Sequence, residues 1–257
     1  MRYLKRSSLL AVAVAAFLVS ATAATAATAP GYEEFDGCPS KTVNSDITLC
    51  MVTKVTGGHL QMGSKDAPIV DPLTLSQSVN PAGEVFVGSF DGGRQPVPGG
   101  LVGLTGLNWL VNLFPANLLK VYAETELAGT PGNPQDPVPF PIKVKLESPL
   151  LSNSCYIGSN SNPIALRLTR NTTNPPPPNQ PISGTGGTFF FDPNLPDVVR
   201  TLDARLVDNA FAAPRARGCT LLVPGLGLID PLINLQSGLP SPAGTNEAVY
   251  PPSGIEQ

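Results

Sequence analysis

Two proline-headed segments constrain the fold of this chain more than any other feature of its sequence. In residues 141–146, Ile142, Val144 and Leu146 alternate with Lys143 and Lys145, and in residues 163–168, Ile164, Leu166 and Leu168 fall opposite Arg167. A period of two gathers the apolar set on one sheet face, so each segment is expected as a half-buried strand. Proline fits at the head of a strand, where no ladder donor is needed. The connection 148–162 is rich in Ser, Asn and Gly, which accept tight turns, so residues 140–169 read as one β-hairpin built around Cys155.

The rest of the chain extends this pattern. Its 257 residues include 25 glycines and 29 prolines, a density that favours short strands and many turns over long helices. Hydrophobic residues make up 42%, which argues against disorder. The expected fold is all-β, a single β-sandwich or open barrel over residues 37–257 with long Pro/Gly-rich loops and two disulfides. The four cysteines, Cys38, Cys50, Cys155 and Cys219, form an even set. Three pairings are open, of which Cys38–Cys50 with Cys155–Cys219 is preferred, a local loop plus a tie from the hairpin connection to a late strand. A metal site is disfavoured, because no Cys-x-x-Cys occurs and His59 is the one histidine.

The N-terminus carries an export pattern. Arg2, Lys5 and Arg6 precede an apolar run at 9–19 and a small-residue tail, the three parts of a secretory signal peptide. Cleavage after Ala26 is favoured over Ala29, where Pro30 would follow the cut. The run is too short to span a bilayer, and every later uncharged stretch holds helix breakers, so no transmembrane helix is expected in the mature chain. Residues 27–36, small and acidic, read as a flexible lead-in. Beyond the signal peptide, thirteen basic residues face nineteen acidic ones, a formal charge of −6. With the cations scattered singly, nucleic acid is not an expected partner. The expected location is secreted, extracellular or associated with the cell envelope.

Further strands are expected at 47–55, 59–62, 68–75, 84–90, 118–127, 188–191 and 199–207. Segment 68–75 repeats the proline-led pattern of 163–169, which suggests equivalent strands. Residues 95–119 carry no formal charge and include Leu101, Leu104, Leu107, Trp109, Leu110 and Phe114. Gly99, Gly100, Gly103 and Gly106 argue against a helix at the start of this stretch, leaving two turns over 107–114 before Pro115. A second leucine-rich stretch, 219–235, holds Leu226 and Leu228 and is expected to pack against the first. Two readings stay open for both stretches: buried core, or an apolar surface or pocket for lipid, envelope or a second copy. The prolines of 174–179 suggest a stiff surface loop, and the tail from 237 a surface strap or frayed end.

Catalytic chemistry has little to draw on. A triad needs a base, and only His59 is available. Residues 158–162 miss the Gly-x-Ser-x-Gly elbow at the last position. Glu124 and Glu126 share one face of a strand and form the best carboxylate pair for glycoside hydrolysis, although a solvated strand face explains them equally. Segment 192–197 offers oxygen ligands but lacks the glycine and terminal glutamate of a calcium loop, so it reads as a turn. No cofactor is expected. A single tryptophan gives no sugar-binding platform, and Asn171-Thr172-Thr173 matches a glycosylation acceptor.

Blocks at 97–104, 126–131, 174–179 and 239–246, together with Cys155-Tyr156-Ile157-Gly158-Ser159 and Asp208-Asn209-Ala210-Phe211-Ala212-Ala213-Pro214, resemble a family of secreted actinobacterial proteins of unknown function. The resemblance covers most of the mature chain. It implies secretion and a shared fold, with no activity or site residue to carry over. Three functional readings follow from the sequence. The leading one is a non-catalytic extracellular or envelope protein with a structural or binding role. The second is a carrier of an apolar ligand or lipid, and the third a secreted hydrolase using Glu124 and Glu126 or His59.

Overall fold

Short alternating segments punctuated by Pro and Gly produce short strands. The computed structural model describes residues 30–257 apart from 224 and 226, so the expected signal peptide and both cleavage positions lie outside the described residues. In chain order the elements are β1 (Leu49–Val55), β2 (His59–Met62), β3 (Lys65–Pro68), β4 (Leu73–Val79), β5 (Val85–Asp91), β6 (Arg94–Pro96), α1 (Gly100–Thr105), β7 (Tyr122–Leu127), β8 (Val138–Glu147), β9 (Tyr156–Ile157), β10 (Ile164–Leu168), β11 (Thr188–Phe191), β12 (Val199–Leu202), β13 (Leu206–Asp208), β14 (Ala216–Arg217), β15 (Thr220–Leu221), β16 (Gly227–Leu228), α2 (Asp230–Ser237), β17 (Glu247–Tyr250) and β18 (Pro252–Glu256). The protein is all-β, with antiparallel sheets and, among the described residues, two short α-helices. One sheet runs β11-β12-β18-β1-β4-β5, a second β14-β9-β8-β7-β6 with β10 also on β8, and a third β13-β17-β2-β3. β15 and β16 form a separate ribbon.

The third sheet continues the first around a corner. Their orders, β12-β18-β1-β4 and β13-β17-β2-β3, match strand for strand, and each pair is joined by a connection of one to four residues. Every strand bends where its backbone can leave the ladder: at Asp203 with φ 56°, at Gly58 with φ 86°, and at Pro251 and Pro72. Proline has no N–H to give the ladder, and a positive φ turns the chain out of the extended region. Two expectations are corrected here. Residues 199–207 are two strands, with Thr201 and Ala204 buried and Leu202 exposed, and 68–75 splits at 69–72, so it is not an equivalent of 163–169.

The organising hairpin forms. Ile142 lies opposite Ile164, Phe140 opposite Leu166 and Val138 opposite Leu168. Phe140, Ile142, Val144 and Leu146 are all buried and join Ile164, Leu166 and Leu168 in the main core. Each such side chain stabilises the fold by about 1.5–3 kcal/mol. β8 begins at Val138, so Pro139 and Pro141 lie inside it rather than at its head. Their carbonyls accept from Gly132 and Ala128, on the side where the β7 ladder has ended, so the missing donors cost no bond to β10. The far half of β8 pairs with β9, Val144 opposite Ile157.

Other expectations are also revised. Residues 30–36 are docked, not a loose lead-in: Phe35 is buried against Val198 and Ile255 on the outer face of the first sheet. Tyr32 donates to Asp197 there, and Arg200 ties Asp192 to Glu34. The tail is no strap, since β17 and β18 are interior strands of their sheets. The glycines of 99–106 bound a helix instead of preventing one: Gly99 and Gly106 have φ 76° and 72° and flank α1, because left-handed residues close helix ends at no steric cost. Residues 107–114 hold one 3-10 segment, Asn108–Asn112. The disulfides join Cys38 to Cys50 and Cys155 to Cys219.

Candidate functional site

The inner faces of the sheets do not close on each other completely. Alternation puts Met51, Thr53 and Val55 of β1, Leu73, Leu75 and Gln77 of β4, and Pro252, Gly254 and Glu256 of β18 on one wall. Val138, Phe140 and Leu168 form the opposite wall, and Ala204, Leu206 and Tyr250 line the corner where the bent sheet turns. Between them lies a cavity of about 160 Å³. That is close to the roughly 150 Å³ at which an apolar cavity accommodates a benzene-sized guest. Phe90 packs edge-on against Phe140 at 6.0 Å and bounds one end.

Two features of the walls are unusual for a plain core. Gln77 is only 5% exposed, and its Oε1 has no hydrogen-bond partner. A buried unpaired amide costs about 1–3 kcal/mol, so the site spends stability on an acceptor. Gly254 lies between Thr53 and Thr201 in the ladder, and a Cβ there would meet nothing nearer than 3.8 Å. A glycine inside a sheet without steric need marks a place where something else approaches the backbone. The polar remainder is sparse. Burial raises the Tyr250 phenol far above its ordinary value and keeps it protonated, with the nearby Asp208 adding to the shift. Burial likewise raises Glu256, which Arg170 partly offsets, and both of these side chains line the cavity.

The residues singled out from sequence as an apolar contact surface lie elsewhere. Leu101, Leu104 and Leu110 are fully buried in the main core, with Leu107 and Phe114 packed against it. Trp109 is 40% exposed and Leu228 62% exposed, while Leu226 lies outside the described residues. The two leucine-rich stretches do meet, α1 against α2, and none of the named residues lines this cavity. What sequence reading missed were Gln77 and Gly254. Their signals, a Gln in the Leu73-Leu75-Gln77-Val79 alternation and a Gly in a strand, were present but had no partner strand to give them meaning.

Of the groups considered for hydrolysis, Glu124 and Glu126 line one open pocket with Asp91, and His59 lies apart from it. His59 pairs with Glu247 at 3.2 Å. Glu126 holds Lys143 at 3.1 Å and accepts from the Tyr156 hydroxyl. Glu124 is raised first by burial and then by the nearby Glu147 carboxylate, but it shares no pocket with His59. Asp192 caps its own turn through Asn194 and Leu195 and pairs with Arg200. Among the described residues no group of three metal-ligating side chains assembles, and no helix is long and apolar enough to cross a membrane. No family model, curated protein or solved structure matches the chain.

Proposed function

We propose that this chain is a secreted, non-catalytic binding protein of the extracellular space or cell envelope. Its ligand is a small, mostly apolar molecule or chain end bearing one hydrogen-bond donor. The observation that carries the reading is the unpaired, buried Oε1 of Gln77 in a mostly apolar cavity: an apolar guest fills the space and its donor satisfies the amide. The two disulfides support an oxidising location. The resemblance to secreted actinobacterial proteins points to the same location. A hydrolase is disfavoured because Glu126 is held by Lys143, His59 pairs with Glu247, and His59 lies outside the pocket that Glu124 and Glu126 share.

The test is ligand-observed NMR of the purified secreted chain with phenol, anisole and benzene, three guests of similar size of which only phenol donates. Saturable binding is expected for all three, with phenol about tenfold tighter, the equivalent of one hydrogen bond. Absence of saturable binding by any of them removes the cavity from the protein's function, and equal affinities remove the role of Gln77.

A further inference from the structure

On the outer face of the second sheet, away from the cavity, lies an open groove of about 470 Å³. One bank is Tyr156 of β9 with the turn that follows it, and the other is the edge strand β14 with Arg217 and, two residues before it, Arg215. Arg217 stands directly opposite Tyr156 in the ladder. The Cys155–Cys219 disulfide joins the residues next to both banks, so their spacing is fixed before any ligand arrives. Each of the two backbone bonds closing the turn, Ser159 N to Asn162 O at 3.0 Å and the reverse at 3.2 Å, holds it rigid. The side-chain amides of Asn160 and Asn162 take no part in them.

Of the three cations lining this groove, Lys143 is neutralised by Glu126, and Arg215 and Arg217 are not. On the same sheet Arg94 is paired with Glu147 at 2.9 Å, Lys145 with Glu147 at 2.7 Å and Lys143 with Glu126 at 3.1 Å. Arg215 and Arg217 are exposed, and among the described residues neither guanidinium forms an ion pair. Two unmatched guanidinium groups side by side on a chain of net negative charge form a local anion site, since their planar forks fit carboxylate and phosphate oxygens. The remaining lining is Lys143, held by Glu126, together with Ser, Asn and Gly. Beyond the Tyr156 ring and the Lys143 stem it has little to bury against a lipid tail or an apolar peptide, whereas hydroxyls and amides exchange hydrogen bonds readily with a hydroxylated ring.

We infer that this groove binds an acidic saccharide, a sugar chain carrying carboxylate or phosphate groups, and that it is a second site independent of the cavity. The experiment is calorimetric titration of the full secreted chain with trigalacturonate, a neutral glucose trimer and inorganic phosphate. The variants are Arg215→Gln with Arg217→Gln, and a control carrying Lys54→Gln with Arg205→Gln at exposed cations outside the groove. Wild type and control are expected to bind trigalacturonate with the same affinity. The groove variant loses about tenfold, and rising salt weakens wild-type binding. All four positions are exposed, so circular dichroism of the variants is expected to match wild type. The inference is overturned by an unchanged groove variant, by equal binding of the neutral trimer, or by phosphate binding as tightly as the saccharide, which would leave a simple anion site.

Discussion

Replacing Gly254 with valine tests whether the space between the sheets is open in the working protein. A Cβ at this position has its nearest neighbours, Thr201 Cβ and Val52 O, at 3.8 Å, ordinary contact distance. Removing a glycine from a strand interior contributes about 0.5–1 kcal/mol through the unfolded chain. The three added carbons would contribute at most about 2.4 kcal/mol at about 0.8 kcal/mol each, and cavity-filling changes commonly deliver about 0.5–2 kcal/mol. The sum is a gain of about 1–3 kcal/mol, which raises the unfolding midpoint by about 2–12 °C in a chain of this size. Scanning calorimetry measures it, with Gly254→Ala as a companion whose single carbon requires no rearrangement. The phenol site should disappear in Gly254→Val as the fold becomes more stable. Two results would refute the reasoning: a loss of stability in both variants, meaning that the wall is already closed, or stabilisation with phenol binding intact, meaning that phenol sits elsewhere.

Gln77→Met keeps the volume and removes the unpaired amide, so the urea midpoint should rise by the equivalent of about 1–2 kcal/mol while phenol loses its advantage over anisole; a fall in midpoint would show that the amide is already satisfied. The disulfides span 12 and 64 residues, so chain entropy predicts that double alanine replacement of Cys155 and Cys219 costs about 4.3 kcal/mol against about 2.8 kcal/mol for Cys38 and Cys50, an order that denaturant unfolding of the two variants checks. Asp208 is buried, and burial raises its carboxyl above the ordinary value despite donors from the Arg167 and Ala210 backbone. A raised folded value means that the folded state holds the proton more tightly than the unfolded chain. The contribution of Asp208 is therefore greatest below the unfolded carboxylate value and declines as pH climbs through the raised folded one. Asp208→Asn should flatten that decline, read as the difference in urea midpoint between about pH 4 and about pH 7; an unchanged difference would show that Asp208 does not titrate in this range.

Much of the architecture was legible from residue order because its causes are local. Alternation in 141–146 and 163–168 predicts the paired strands, since a period of two has one core-facing solution. Density of Pro and Gly predicts an all-β chain by removing long helices. Other features failed for identifiable reasons. Gly99 and Gly106 were read as breakers when they act as helix ends, a distinction that depends on φ and not on composition. Phe35 looked like part of a loose lead-in because its partners, Val198 and Ile255, lie more than 160 residues away in sequence.

The sequence by itself determined the faces of the hairpin strands β8 and β10, the all-β class and the even set of cysteines, because period, backbone restriction and cysteine count act within a few residues or on the whole chain at once. Tertiary structure alone decided that four strands bend along one line, at Asp203, Gly58, Pro251 and Pro72. Each break looks like an unrelated turn until the strands lie side by side. That shared corner puts Gln77, Gly254 and Tyr250 on the walls of one cavity. A cavity is a property of how distant walls fail to meet, and no local pattern in a chain encodes a gap between residues 177 positions apart.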